Sequence, residues 1–277
     1  MNSLPKNRFR VSINSSCNMS CWYCHNEGNT KSTSMLTEDD VFHIIRQSRD
    51  IGIKELRLTG GEPLLNPYII EICRTIKNEG LRVSLNTNLV AYSRLKSLLC
   101  EKLIDEIVVG LDLFNGKVSK DSPIGLPSSQ ILQRIIDVRA SLPEVSISSV
   151  YNGDTNNLEG LFSFCVKEGC RLKVLEPQYS PNSSNEYSSD FNLLIDYFTS
   201  HHYLVFKQDE RDEVNGFMND RKVISFFPSL CRLHRCDICK KTQLRINSEG
   251  YVKPCIYDLN LDFSIYDVHF LDKIRAL

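Results

Sequence analysis

Apolar and polar positions along the chain spell strand, helix and strand again, six times over. Residues 8–13 place apolar side chains at alternate positions, the period of a half-buried strand, with Arg10 between them near its C-terminal end. Thr37-Glu38-Asp39-Asp40 has the form of a capping box. It opens a helix with Val41, Ile44 and Ile45 on one face, running to residues 50–52. Residues 55–59 form a strand that ends in Gly60-Gly61. Asn66-Pro67 starts the next helix, with Ile69, Ile70 and Ile76 turned inward and Gly80 as its C-cap. Strands follow at 82–85, 106–111, 145–150 and 172–176, and helices at 92–100, 130–140, 156–168 and 191–200. Runs such as Ile107-Val108-Val109 are apolar on both faces, as buried parallel strands are. The alternation predicts an α/β fold with a parallel sheet and crossover helices. Six units rather than eight predict an open, partial (βα)6 TIM-like barrel.

The polar residues fall at one end of these strands. A cysteine-bearing loop, Gly60 to Pro63, Asn86 to Asn88, Asp112, Ser146 with Ser148, and Glu176 all lie on or after the C-terminal half of a strand. In barrel-like α/β folds that end carries the active site. The regular alternation stops near residue 210, which places a core domain at 1–210 and a smaller one at 211–277.

Composition narrows the class. Among 277 residues, 33 basic and 34 acidic side chains leave a net charge of −1, with Lys and Arg scattered rather than striped. That balance argues against nucleic acid as a partner. No run of 18 apolar residues and no signal-peptide core is present, so a cytoplasmic protein with no membrane partner is expected. Eleven Cys without an export signal point to metal ligation rather than disulfides. Cys73, Cys100, Cys165 and Cys170 sit in helical or strand-like patterns and read as core.

The other seven fall in two groups. Cys17, Cys21 and Cys24 lie in Cys-Asn-Met-Ser-Cys-Trp-Tyr-Cys, directly after the first strand. Three thiolates in so tight a bend suit three corners of a cubane iron–sulfur cluster, leaving one iron open. A structural zinc site would need a second Cys pair, and His25 alone is too close in sequence to serve as the fourth ligand. Cys231, Cys236, Cys239 and Cys255 form the second group. Between the last two, residues 243–254 read as a hairpin turning at Asn-Ser-Glu-Gly, which folds Cys255 back beside Cys236 and Cys239. Spacing alone fits zinc or an iron–sulfur cluster equally well there.

Cys-x-x-x-Cys-x-aromatic-Cys after a first strand resembles the signature of the radical S-adenosylmethionine (SAM) enzymes. Thr59-Gly60-Gly61-Glu62-Pro63-Leu64 is similar to their GGEP motif, and Ser84-Leu85-Asn86-Thr87-Asn88 to their third-strand segment. Over nearly its whole length the chain resembles the GTP 3′,8-cyclase family of molybdenum cofactor biosynthesis. The resemblance implies a [4Fe–4S] cluster on Cys17, Cys21 and Cys24 that chelates SAM. One-electron reduction by a donor such as flavodoxin or ferredoxin would then release a 5′-deoxyadenosyl radical, which abstracts a hydrogen atom from substrate. It implies SAM contacts at Tyr23, Gly60, Gly61, Glu62, Pro63, Asn86 and Asn88, with Ser148 and Val150 on the fifth strand. Asn86 and Asn88 also read as plain turn residues capping a strand.

The same resemblance turns the second cysteine group into the auxiliary [4Fe–4S] cluster of a twitch-type subdomain, held by Cys236, Cys239 and Cys255, with Cys231 either a fourth ligand or a bystander. Arg10, Lys173 and Arg245 match cations that grip the family's triphosphate substrate. Ser16, Ser146 and Gln243 stand where the family has cations, the Cys239-to-Cys255 interval is two residues longer than the family's, and the chain ends without the family's Gly-Gly tail. These departures favour a small-molecule substrate, possibly nucleotide-like, other than GTP. The alternatives are a peptide maturase, a true GTP 3′,8-cyclase and a non-catalytic iron–sulfur protein that binds SAM.

Overall fold

The computed structural model describes residues 8–21, 23, 24, 33–113, 126–177, 190–202, 204–209, 213–230, 233, 244–255 and 262–276. Cys231, Cys236 and Cys239, together with Trp22, His25 and Gln243, lie outside them. The described chain falls into two compact units, one holding the residues up to Ile107 and those from 244 onward, the other those between Val108 and 233.

In the first unit, strands β1 (Arg8–Ser12), β2 (Glu55–Thr59) and β3 (Arg82–Thr87) run parallel in that order. Helices α1 (Glu38–Ser48), α2 (Ile69–Asn78) and α3 (Tyr92–Cys100) connect and follow them. The pleat sorts the side chains. Phe9, Val11, Leu56, Leu58, Val83 and Leu85 are buried on one face, while Arg8, Arg10, Glu55, Arg57 and Ser84 share the other. The expected capping box is present: Thr37 accepts from the Asp40 amide at 3.3 Å, and Asp40 accepts from Thr37 N at 2.8 Å. Gly80 takes the left-handed conformation that ends α2, at φ 75°. On α2 the inward face is Ile69, Ile72, Cys73 and Ile76; Ile70, expected inward, is only half-buried because it lies a helical step off that stripe.

Past residue 244 the chain returns to this unit. Strand β10 (Arg245–Ile246) pairs parallel with β1 on the side away from β2 and carries the hairpin partner β11 (Tyr251–Lys253), then β12 (Phe263–Ser264) and helix α7 (Phe270–Ala276). The turn falls at residues 247–250, as the sequence predicts.

In the second unit, β5 (Val145–Val150) and β6 (Arg171–Leu175) are parallel, linked by α5 (Thr155–Glu168), with α4 (Ser128–Ser141) before them. Strand β4 (Glu106–Gly110) begins in the first unit and ends in the second. Between α6 (Asp190–His201) and the hairpin of residues 243–254 no strand is expected, yet β7 (Val205–Gln208), β8 (Val214–Met218) and β9 (Arg221–Phe227) form an antiparallel meander whose last strand pairs parallel with β6. Cys73, Cys165 and Cys170 are buried, and burial pushes all three thiols up. Cys100, expected in the core, is exposed: it is the last residue of α3, where the apolar face of Leu95 and Leu98 has turned past it.

Candidate functional site

Strand β1 delivers the chain to the cysteine loop, and the turn after β2 clamps it there. Gly61 N donates to Asn14 O at 2.8 Å and Glu62 N to Ser16 O at 2.8 Å. The Asn14 amide returns to Ser16 O at 3.1 Å and Glu62 O at 3.2 Å. Neither glycine has room for a side chain. A Cβ on Gly60, whose φ is +149°, would lie 2.4 Å from Asn14 O, and one on Gly61 2.0 Å from Ser16 O.

Cys17, Cys21 and Cys24 follow, all half-buried. Cys24 N donates to Cys21 O at 3.1 Å, and Met19 N reaches the Cys17 sulfur at 3.4 Å. Burial pushes the Cys17 thiol up, and the nearby Glu62 and Cys24 add to the shift. Among the described residues, no three His, Cys, Asp or Glu side chains close round a metal position. What fits a thiolate-held cluster is the donor set: three cysteines within one clamped eight-residue stretch, two of them within electrostatic reach of each other. Tyr23 is half-buried within the same loop.

Glu62 is fully buried at the start of a short 3₁₀ turn led by Pro63, which is buried with it. One carboxylate oxygen accepts from Leu64 N at 3.0 Å and Thr87 Oγ1 at 2.7 Å, the other from Asn88 N at 2.8 Å. Burial outweighs these donors and pushes its pKa up to about 7. Asn86, on the polar face of β3, has a buried side-chain oxygen without a partner among the described residues. A ligand donor arriving there would satisfy it.

Strand register assembles a second feature. Arg10 stands beside Arg57 on β2 and beside Arg245 on β10, and Arg245 beside Lys253 on β11. Four cations therefore line one face across four strands. Arg57 is tied to Glu106 at 2.9 Å, yet burial still lowers its pKa; Lys253 is tied to Asp262. Arg10 and Arg245 were expected at a substrate; Arg57 and Lys253 were missed. Arg57 lies between Leu56 and Leu58 as Arg10 lies between Phe9 and Val11, a period-two signal available in the sequence.

In the second unit, Ser148 and Lys173 are cross-strand neighbours, and the row continues through Ser225 to Asn215, whose side chains bond at 2.7 Å. Val150 N donates to Asp112 Oδ1 at 2.8 Å, and buried Glu176 accepts from Ser229 N at 2.7 Å. Ser225 and Asn215 were not foreseen, because the expected strand–helix alternation ends before their strands. Cys255 follows β11, half-buried.

Residues 11–164, more than half of the chain, match the model of the radical SAM superfamily. The chain belongs to that superfamily. Membership makes the protein an enzyme and brings a [4Fe–4S] cluster and SAM. Among curated relatives, a probable GTP 3′,8-cyclase of Methanococcus aeolicus is 28% identical over 262 residues, 89% of this chain and 84% of that protein. One from Methanothermobacter thermautotrophicus is 28% identical over 267 residues, 91% and 85% of the two chains. Among solved structures, Streptococcus suis SuiB bound to S-adenosylmethionine superposes at a TM-score of 0.72 and 18% identity; the match covers 98% of this radical SAM enzyme and 65% of the SuiB chain. The tagged anSMEcpe with bound AdoMet does so at 0.60 and 16%, covering 98% and 80%. These likenesses show the fold, the α/β barrel-like arrangement expected from the sequence. No helix among the described residues is long and apolar enough to cross a membrane.

Proposed function

We propose that this radical SAM enzyme abstracts a hydrogen atom from a small anionic molecule, nucleotide-like in charge, held by the cation row of β11, β10, β1 and β2. The in-register placement of Arg57, Arg10, Arg245 and Lys253 is the observation that carries the reading. Arg57 pairs with Glu106 and Lys253 with Asp262, and guanidinium groups grip phosphate or carboxylate oxygens strongly and directionally. Lys173, beside Ser148 on the second unit's polar face, is a separate candidate for a substrate contact.

Cys17, Cys21 and Cys24 hold the SAM-binding cluster on this reading. Gly60 and Gly61 bring backbone close to SAM, Glu62 and Pro63 form the floor of that turn, and Asn86 offers its unsatisfied oxygen. Tyr23, Ser148 and Val150 complete the SAM contacts. Cys236, Cys239 and Cys255 hold a second [4Fe–4S] cluster, with Cys231 as a candidate fourth ligand, in a C-terminal segment of 211–277. When bound, cluster and SAM supply reductive cleavage to a 5′-deoxyadenosyl radical and the hydrogen abstraction. The chain's own part is to hold the anion, fix the SAM turn and keep water from the site. Free thiols in this number belong in a reducing compartment, the cytoplasm, where a flavodoxin or ferredoxin donates the electron.

A second reading is GTP 3′,8-cyclase itself, favoured by the curated relatives. Against it, Ser16, Ser146 and Gln243 occupy positions that are cationic in that family. Each unreplaced phosphate contact costs about 1.5–3 kcal/mol. Ser146 is fully buried, and its hydroxyl has no partner among the described residues.

The test uses anaerobically reconstituted protein. Wild type should carry about eight irons, the Cys17/Cys21/Cys24→Ala variant about four. Pyrophosphate, as a bare anionic probe, should bind wild type and lose at least tenfold in Arg10→Met and in Arg245→Met. Conversion of GTP to a cyclised product would favour the second reading. A wild type that binds neither pyrophosphate nor GTP, and instead modifies a peptide, would overturn the proposal.

A further inference from the structure

Three polar groups of Asn88 are engaged within the protein. Its amide N–H donates to Glu62 Oε2 at 2.8 Å, its Oδ1 accepts from Val90 N at 2.9 Å, and its Nδ2 donates to Asn18 Oδ1 at 2.7 Å. Asn18 lies between Cys17 and Cys21, and the next peptide, Met19 N–H, points at the Cys17 sulfur at 3.4 Å. Asn88 thus reaches from the end of β3 into the cysteine loop, beside the amide that faces a cluster ligand.

The footing of this strut is rigid. Glu62 is fully buried, and its second oxygen is held by Thr87 and Leu64. Thr87 Oγ1 also accepts from Leu89 N at 3.1 Å, and Leu89 sits at φ 59°, a conformation that fixes the turn against easy rearrangement. The backbone clamp from Gly61 and Glu62 fixes the chain before Cys17. Asn88 fixes it after Cys17, so the first ligand is held from both sides.

We propose that Asn88 is a positioning residue for the iron–sulfur cluster: by holding Asn18, it keeps the Met19 N–H at the Cys17 sulfur and thereby raises the cluster's reduction potential. The inference rests on the assignment of the cluster to Cys17, Cys21 and Cys24. Hydrogen bonds to the sulfurs of such clusters tune their potential, and groups behind the ligands set ligand geometry. An N–H dipole at the sulfur favours the reduced, more negative cluster, so its loss lowers the potential.

The experiment is an EPR-monitored redox titration of the reconstituted protein. It follows the signal that disappears in Cys17→Ala, across wild type, Asn18→Leu, Asn88→Ala and the double variant. Both single variants should shift the midpoint to more negative potential, and the double variant should add nothing further, because both cut one connection. Urea unfolding of the metal-free Asn18→Leu protein should match wild type, which separates positioning from a general loss of stability. Wild-type midpoints in both single variants, or full additivity in the double, overturn the inference. A signal that survives Cys17→Ala overturns the ligand assignment instead, and the inference with it.

Discussion

Gly61→Ala isolates the contact on which the whole cysteine loop stands. An alanine Cβ there would lie 2.0 Å from Ser16 O, 2.3 Å from Ser16 C and 2.8 Å from Ser15 O, all backbone atoms without a rotamer to escape into. Ordinary contact begins near 3.4 Å, so the two chains would have to part by about 1.4 Å. That movement breaks the bonds from Gly61 N to Asn14 O and from Glu62 N to Ser16 O. Overpacking costs about 1–3 kcal/mol and each lost bond about 1, so the sum is about 3–5 kcal/mol. Gly80→Ala is the control: its φ is +75°, nothing lies within 4 Å, and only left-handed strain of about 1 kcal/mol applies. Urea unfolding of the metal-free proteins reads both. Gly61→Ala should fall well below Gly80→Ala, and its reconstituted form should carry less iron. If Gly61→Ala were as stable as Gly80→Ala, the turn would not be pressed against the loop, and the clamp described above would be wrong.

Three further outcomes follow from the same residues. Glu62 has a folded pKa of about 7, above the 4.5 of an unfolded glutamate. The stability this lends is complete below pH 4.5 and lost as pH rises through 7. Metal-free wild type should therefore lose up to about 3 kcal/mol across that window relative to Glu62→Gln, measured by urea midpoints at each pH; parallel profiles would show the carboxyl to be ionised throughout. Arg57→Met removes the 2.9 Å ion pair to buried Glu106, which also bonds Ser84 at 3.1 Å, and should cost about 3 kcal/mol in thermal or urea unfolding. A loss below about 1 kcal/mol would mean that water reaches Glu106. Cys255→Ala should lower bound iron by about half while SAM cleavage continues, and an unchanged iron count would remove Cys255 from the second cluster.

How much of this was legible in the sequence depends on the range over which each signal acts. The capping box at Thr37 and Asp40, the Gly80 cap and the Gly-Gly turn were readable because each is decided within four residues. The face of α2 was misjudged at Ile70 and the end of α3 at Cys100, since one helical step decides exposure there and only packing partners reveal which side wins. The β7–β9 meander escaped because β7 and β8 interrupt their apolar residues with Lys, Gln, Asn and Gly, and the apolar run of β9, Val223 to Phe227, follows them without a crossover helix. The polar rows escaped for a different reason. Period two says which residues share a face of one strand, but not which strand lies alongside. That Arg245 stands next to Arg10 requires β10 to pair parallel with β1 across more than two hundred residues of chain. Without β10, Arg10 would have Arg57 as its one cross-strand cation, and Arg57 already answers to Glu106. The returning C-terminal segment therefore extends a face that already holds the Arg8–Glu55 and Arg57–Glu106 pairs into a cation row. A substrate anion recognised there would depend on that segment even if no cluster were bound to it.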